Sequence, residues 1–519
     1  MAANPHVAGT WFRLGLARLN SSDAEGAVIA LEEALELGAD QPRRVMIAIA
    51  RAHAAAGDNS AALRALEQGI ALGHRERRAL WDDAGFASLR ADDRLRTRFE
   101  RLAGVGGAAT MPREAGWRRD LDFLAEEVER MRFNAFRKTS AEDFRRELNR
   151  LAAAVPRRSD EAIIVSVMRL MGGLGDAHTN VIPEGIPGWT KTLPVHFQLF
   201  ADGLYITAAD SASAHAVGAE VVEVAGRPIA TVMAMLDSVT SDDNARTVIR
   251  NGPRYLRFPQ VLHGLGLLPN GDRMSVTLRD ARGARRQVIL DAAPNDPEFN
   301  RIAGHPRWVQ AINATPGTLP IGFRDRLRPY WFEYMPESGM MYLQFNSVVD
   351  MQGETLAAFT NRLFAAVDST AAQGLIIDMR WNNGGNSRLL PPLIQSVVER
   401  PRLNQRGRLF AITGPYTFSA GMNAATMLDR HTQVILVGEP TVSSPNFVGE
   451  SNILILPFSR IPVSISDYFW QTSWPMDNRT WLAPELYAPL TFRAYRAKRD
   501  PAMEAIQSLL VSERKGSSR

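Results

Sequence analysis

Gly374-Leu375-Ile376-Ile377-Asp378-Met379-Arg380-Trp381-Asn382-Asn383-Gly384-Gly385-Asn386 decides how the C-terminal half of this chain is read. Its first part is a short apolar run, the pattern of a strand covered on both faces. Its second part turns abruptly to Asn and Gly, a loop signal. The same alternation continues on both sides. Met340–Phe345 reads as a strand, Gly353–Thr370 as a helix, Ser387–Glu399 as a helix and Arg408–Thr413 as a strand. Ala420–Asp429 reads as a helix and Val434–Val437 as a strand. Strands alternating with helices imply an α/β core with a largely parallel sheet. Such sheets bind ligands beyond the carboxyl ends of their strands. The loops after Met379 and after Thr413 are therefore the places to look for chemistry.

In the first loop, Gly384 and Gly385 allow a sharp turn and expose backbone N–H groups suited to a developing oxyanion. The same residues also fit a plain tight turn, with Asp378 and Arg380 as a structural ion pair. In the second loop, Thr413-Gly414-Pro415-Tyr416-Thr417-Phe418-Ser419-Ala420-Gly421-Met422, Ser419 opens a helix. It reads either as an N-cap or as a nucleophile beside helix N–H groups. Thr417 occupies the place of the first Gly in G-x-S-x-G, so an α/β-hydrolase elbow is not expected. A serine nucleophile needs a base. Of nine histidines, His178 has the most site-like setting, in Gly172-Gly173-Leu174-Gly175-Asp176-Ala177-His178-Thr179-Asn180. Taken alone, a loop histidine is as easily an ordinary surface residue.

The whole chain bounds these readings. It has 519 residues, 45% hydrophobic and 22% charged, the composition of a globular protein of roughly three or four domains. No cysteine is present, which removes disulfides, a Cys nucleophile and Cys-ligated metals. A net charge of +4 gives no reason to expect nucleic acid or a membrane surface as partner. No apolar run is long enough to span a bilayer. Met1–Asn20 carries Arg13 and Arg18 and lacks a signal-type apolar stretch, so the chain reads as soluble. A periplasmic or secreted location follows only if a leader has been removed, and a cytoplasmic one otherwise.

Residues 1–103 repeat at a shift of 35: Leu14 aligns with Ile49, Asp23 with Asp58, Ala27 with Ala62, Leu31 with Leu66 and Leu37-Gly38 with Leu72-Gly73. Gly38 and Gly73 read as helix ends. With Trp11-x-x-Leu14-Gly15, this region resembles tetratricopeptide (TPR) repeats, which implies a packing, self-association or peptide-docking module. Residues 104–112 read as a Gly-rich linker, and 113–185 as a helical segment that carries His178, with Trp117–Phe133 amphipathic. Residues 186–300 hold short strand-like runs at Val195–Leu199, Leu204–Ala208, Glu220–Val224, Met274–Leu278 and Arg286–Leu290. This module resembles a PDZ-like domain and reads equally as a structural β-domain shaping a cleft. The α/β core occupies 301–512.

Gly175-Asp176-Ala177-His178-Thr179, then Asp378-x-Arg380-x-Asn382-x-Gly384-Gly385, then Thr417-x-Ser419-Ala420, then Gly438-Glu439-Pro440-Thr441 occur in the order found in the S41 serine peptidases. The resemblance covers about residues 113–505. It implies a ClpP/crotonase-like core, a PDZ-like domain, a peptide or protein substrate, and no cofactor or metal. Ser419 matches the nucleophile. Ala420 and one of Gly384 or Gly385 match the oxyanion donors. The base of the processing-protease branch is a Lys whose place is held by Ser444, so a Ser–Lys dyad is ruled out. His178 matches the base of the tricorn-like branch, where a relay Ser precedes it; here that residue is Ala177. The orienting acid falls near Asp477, one place out of register, with Asp176 and Glu439 as weaker candidates.

Two functions follow as expectations. The first is a serine endopeptidase, inseparable by sequence from an esterase or acyl transferase. The alternative is an inactive binding or scaffold protein working through its TPR-like and PDZ-like regions. Trp470, Trp474 and Trp481 read first as core and second as cleft lining.

Overall fold

The computed structural model describes residues 6–74, 77–104, 111–131, 134, 136 and 138–517. Most of the expected linker 104–112, and the last two residues of the expected helix Trp117–Phe133, lie outside them. The chain forms two compact units. One holds the residues up to Arg158 with Gly185–Pro187 and Glu450–Asp467; the other holds Ser159–Glu184, Gly188–Gly449 and the residues from Tyr468 onward.

The first unit opens with helices Ala8–Asn20, Ala24–Glu36, Pro42–Ala55 and Asn59–Ala71, two hairpins in succession. The shift of 35 seen in the sequence is the spacing between these hairpins. Asp23 and Asp58 each cap the second helix of a hairpin, accepting from the Gly26 and Ala61 N–H groups. Gly38 and Gly73 follow those helices at φ 74° and 92°, the left-handed region that ends a helix cheaply. Ala27, Ala34 and Ala62 are buried between the helices.

The second unit is built on a six-stranded sheet: β1 (Tyr330–Met335), β2 (Met340–Phe345), β3 (Gly374–Asp378), β4 (Leu409–Thr413), β5 (Ile435–Gly438) and β6 (Leu486–Tyr487). The strands lie in that order; β1 is antiparallel to β2 and the rest are parallel. Every residue of β2, β3, β4 and β5 is buried. That burial explains their largely apolar composition, broken only by Gln344, Asp378 and Thr413. On one face Leu375, Ile377, Leu409 and Ala411 pack on α1 (Leu356–Ser369), α2 (Pro391–Val398) and α3 (Ala420–His431). On the other face Ile376, Phe410, Ile412 and Val437 pack on Ala502, Met503 and Ile506 of the helix Pro501–Ser517. The sequence reading of this core is matched within a few residues at each end. The expected helix Ser387–Glu399 is divided, with a short 3-10 turn at Ser387–Leu389 before α2.

The strand-rich segment forms a second sheet from the expected runs, extended slightly at their ends. It holds more than strands. Helices Ile229–Asp237, Thr247–Tyr255 and Pro259–Gly264 interrupt it. No helix among the described residues is long and apolar enough to cross a membrane.

The carboxyl end of β3 is fixed by buried charge. Arg380 Nε donates to Asp378 Oδ1 at 3.0 Å and its Nη1 to Asp500 Oδ1 at 2.8 Å, while Tyr342 OH donates to Asp378 Oδ2 at 2.7 Å. Asp378 and Arg380 are thus the structural ion pair. Removing the cation leaves two buried carboxylates facing each other. Arg380→Met is expected to cost about 3–5 kcal/mol, read as a lower urea midpoint. An unchanged midpoint contradicts this account of the strand end.

Candidate active site

Ser419 lies where β4 gives way to α3. Its backbone sits at φ 54°, ψ −123°, a region that L-residues avoid. As N-cap of α3 it makes no side-chain capping bond. Among the described residues Ser419 Oγ has no hydrogen-bond partner. The two residues before it are pinned to the loop after β3. Phe418 N–H donates to Asn382 O at 2.9 Å. Thr417 Oγ1 donates to Met379 O at 2.8 Å and accepts from Gly414 N–H at 3.1 Å.

Gly384 and Gly385 have φ of 113° and 139°, so both need the conformational freedom of glycine. A Cβ on Gly384 would lie 2.7 Å from Ser419 Cβ and 3.2 Å from Ala420 N. A Cβ on Gly385 would lie 2.1 Å from Val348 O. The two glycines differ as donors. Gly384 N–H donates to Asn382 Oδ1 at 3.0 Å, so that amide is already engaged. Among the described residues the N–H groups of Gly385 and Ala420 carry no hydrogen bond.

His178 is brought to the same place. Its ring stacks on Phe418, the neighbour of Ser419, with centroids 4.5 Å apart, and on Phe447 at 5.6 Å. Both ring nitrogens are shielded from solvent. Burial pushes the imidazole pKa down to about 4. The Asp176 charge and a backbone hydrogen bond at Val448 oppose the shift, and the Arg250 charge adds to it. Ser419 Oγ and the His178 ring are not hydrogen-bonded to each other in this structure. The loop bearing His178 is shaped by Asp176, whose Oδ1 accepts from the N–H groups of His178 (3.0 Å) and Thr179 (2.6 Å).

Asp477 does not orient His178. Its carboxylate accepts from Arg479 Nη2 at 2.7 Å and Ser473 Oγ at 2.6 Å, and these bonds hold its pKa far below the usual range. The pairing is local, two residues along the chain, and Asp429 fixes the same arginine at 2.8 Å. Glu439 is also elsewhere, accepting from Leu490 N–H at 3.2 Å beside Arg246 at 3.7 Å. Of the three acids weighed, Asp176 alone bonds to the His178 segment. Trp474 is 59% exposed with Arg430 over its ring, and Trp481 is also exposed, so the core reading of these two is corrected. Trp470 is partly buried against the main core.

Three contributors were not singled out from the sequence. Asn382 ties the two loops together through its backbone O, which accepts from Phe418 N–H, and its side-chain Nδ2 donates to Phe345 O at 2.8 Å. Asp243 accepts from Ala177 N–H at 3.0 Å and from Ser443 Oγ at 2.6 Å, so it anchors the His178 loop. Arg250, on the helix Thr247–Tyr255, donates to Asn383 Oδ1 and lies 4.1 Å over the Phe418 ring. Asn382 stood inside a quoted motif. Asp243 and Arg250 sit in a polar stretch with no periodicity, so only the tertiary structure reveals them.

No family model matches the chain, and no curated protein matches it. Solved structures do. Mature CPAF complexed with lactacystin aligns at a TM-score of 0.55 and 14% identity, over 76% of this chain and 98% of that one. Mature CPAF alone aligns at 0.52 and 14%, over 76% and 96%. The chain has the fold of these two structures.

Asp243 gives a pH signature. Burial first, then repulsion from Asp176, raises its pKa to about 7. The folded protein therefore holds a proton that the unfolded chain releases near pH 4. Stability from this group is full below pH 4 and is lost as pH rises to 7. Asp243→Asn removes that loss. The Tm of the variant minus that of the parent should be several degrees more positive at pH 8 than at pH 5. A difference independent of pH contradicts the assignment.

Proposed function

We propose that this chain is a serine peptidase in which Ser419 is the nucleophile, His178 the general base, and the Gly385 and Ala420 N–H groups the oxyanion hole. One observation carries the reading. Ser419 adopts a costly backbone conformation at a helix start and does not use its hydroxyl to cap that helix. A serine kept only for capping has no need of that strain.

The steps follow from the groups present. Ser419 Oγ bonds to the scissile carbonyl carbon while His178 takes the hydroxyl proton. The carbonyl oxygen gains negative charge beside two amides that have no competing acceptor. The C–N bond then breaks and His178 returns the proton to the leaving amine. Water, deprotonated by the same imidazole, releases the acyl group. A pKa near 4 keeps His178 neutral and able to accept at neutral pH. Asp176, through the main chain and its charge, is the acid assigned to steady the imidazolium. Esterase activity would use the same groups. The binding-only alternative explains neither the strained serine nor the open amides.

The remaining parts are read with the same function. The N-terminal hairpins are assigned as a TPR-like docking or self-association module, and the strand-rich segment as a PDZ-like peptide reader. The substrate is a peptide or protein.

Ser419→Ala is expected to abolish fluorophosphonate labelling and to lower casein or peptide cleavage by about 10³-fold or more; unchanged cleavage refutes the nucleophile. The base must be unprotonated, so labelling should hold steady from pH 8 to about pH 5 and fall as pH drops through about 4. An acid limb centred near 6.5 contradicts the buried base. Gly384→Ala drives a Cβ against Ser419 and should lose labelling. A Gly384→Ala protein that labels at the parent's rate contradicts the packing described.

A further inference from the structure

The site holds a cation that the proposed chemistry does not use. Arg250 is 7% exposed, and it lies against Asn383 and Phe418, the neighbours of Gly384 and Ser419. Its other side-chain partner is Asn251 Oδ1, at 3.4 Å. Among the described residues no carboxylate lies within ion-pair distance of Arg250, and its buried Nε has no hydrogen-bond partner. Its surroundings add positive charge. Burial first, then repulsion from Arg301 and Arg254, pulls it well below the usual guanidinium range. Glu184, the nearby acid, is bound in a fork by Arg254, with Nε to Oε1 at 2.6 Å. Arg301 likewise has no carboxylate within ion-pair distance among the described residues. Tyr416, beside both arginines, supplies a hydroxyl and no formal charge.

A buried guanidinium without a counter-ion is costly, and folded proteins keep one mainly where something else completes the pair. Arginine also suits a planar carboxylate, which it can grip by two parallel N–H groups. Phe418 and Asn383 place this charge within a residue or two of where a scissile carbonyl would sit.

We infer that Arg250 forms a carboxylate-binding subsite that selects substrates carrying a negative charge next to the bond to be cut. This rests on the peptidase reading above. The carboxylate has two sources, an Asp or Glu side chain or the free C-terminus of the peptide.

The test separates binding from cleavage. Full-length Ser419→Ala protein is titrated with fluorescein-labelled decapeptides of one sequence, followed by anisotropy. Members differ only by Glu or Gln at each position in turn, and by a free acid or an amide at the C-terminus. The inference predicts at least tenfold tighter binding of one acidic member over its neutral isostere, weakened by salt. If the Glu/Gln pair carries the effect, the source is a side chain; if the acid/amide pair does, it is the terminus. Ser419→Ala/Arg250→Met should bind both members of that pair equally, and Arg250→Lys should keep part of the preference. Equal binding throughout in the protein that retains Arg250 overturns the inference, whether or not the Met variant folds. A preference that survives in a folded Arg250→Met protein overturns it too. Should fluorophosphonate fail to label Ser419 in the parent, the peptidase reading falls by itself, and the anisotropy series still decides whether Arg250 binds carboxylates.

Discussion

The site depends on one residue that does no chemistry. Asn382 accepts from Phe418 N–H through its main chain and from Gly384 N–H through its side chain, and it donates to Phe345. Three separate segments are thereby held at one point, at the carboxyl ends of β2, β3 and β4. With Gly384 N–H turned toward Asn382, the next amide, Gly385, is left open. With Phe418 held, Ser419 is forced into its strained turn and Ala420 N–H is left open as well. The burial of Asn382 makes each of these bonds expensive to lose, because none can be replaced by water. The ion-pair network of Asp378, Arg380 and Asp500 fixes the end of β3 just before it. Positioning here is a matter of buried polar groups that are fully committed to one arrangement.

The electrostatics around this frame pull in opposite directions. His178 is desolvated between two phenyl rings, which keeps it neutral. Asp243, which anchors the same loop, is desolvated into holding a proton near neutrality. Linkage makes the first group favour folding as pH rises from about 4 to 6.5, and the second oppose it up to about 7. The two slopes partly cancel, so whole-protein melts understate how unusual each group is. Arg250 adds an unneutralised positive charge to the same neighbourhood. These surroundings lower the affinity of the imidazole for protons.

Much of this was legible in the sequence, for physical reasons that differ by element. Gly374–Asp378 and Leu409–Thr413 were readable because a strand buried on both faces is largely apolar, and Asn382-Asn383-Gly384 and Gly414-Pro415 mark the loops that follow. The hairpin period was readable because Asp23 and Asp58 cap equivalent helices and Gly38 and Gly73 end them. Ser419 and His178 were singled out only through the order of motifs, since either residue alone has an ordinary explanation. Asp477 misled because sequence register says nothing about competition: Arg479, two residues away, captures its carboxylate. Asp243 and Arg250 were invisible for the opposite reason. The stretch 241–251 is rich in Asp, Asn and Arg and has the composition of an exposed loop, yet Ser241, Asn244, Thr247 and Arg250 are buried. Polar residues whose partners lie far along the chain leave no local signature.

The most direct measurement is a crystal structure of the protein reacted with a peptide boronate, an electrophile that traps the tetrahedral geometry of acyl transfer. The account predicts boron bonded to Ser419 Oγ, one boronate oxygen within about 3 Å of both Gly385 N and Ala420 N, and His178 within hydrogen-bond reach of the adduct. Boron bound at another residue, or an adduct on Ser419 whose oxygens avoid both amides, would contradict it.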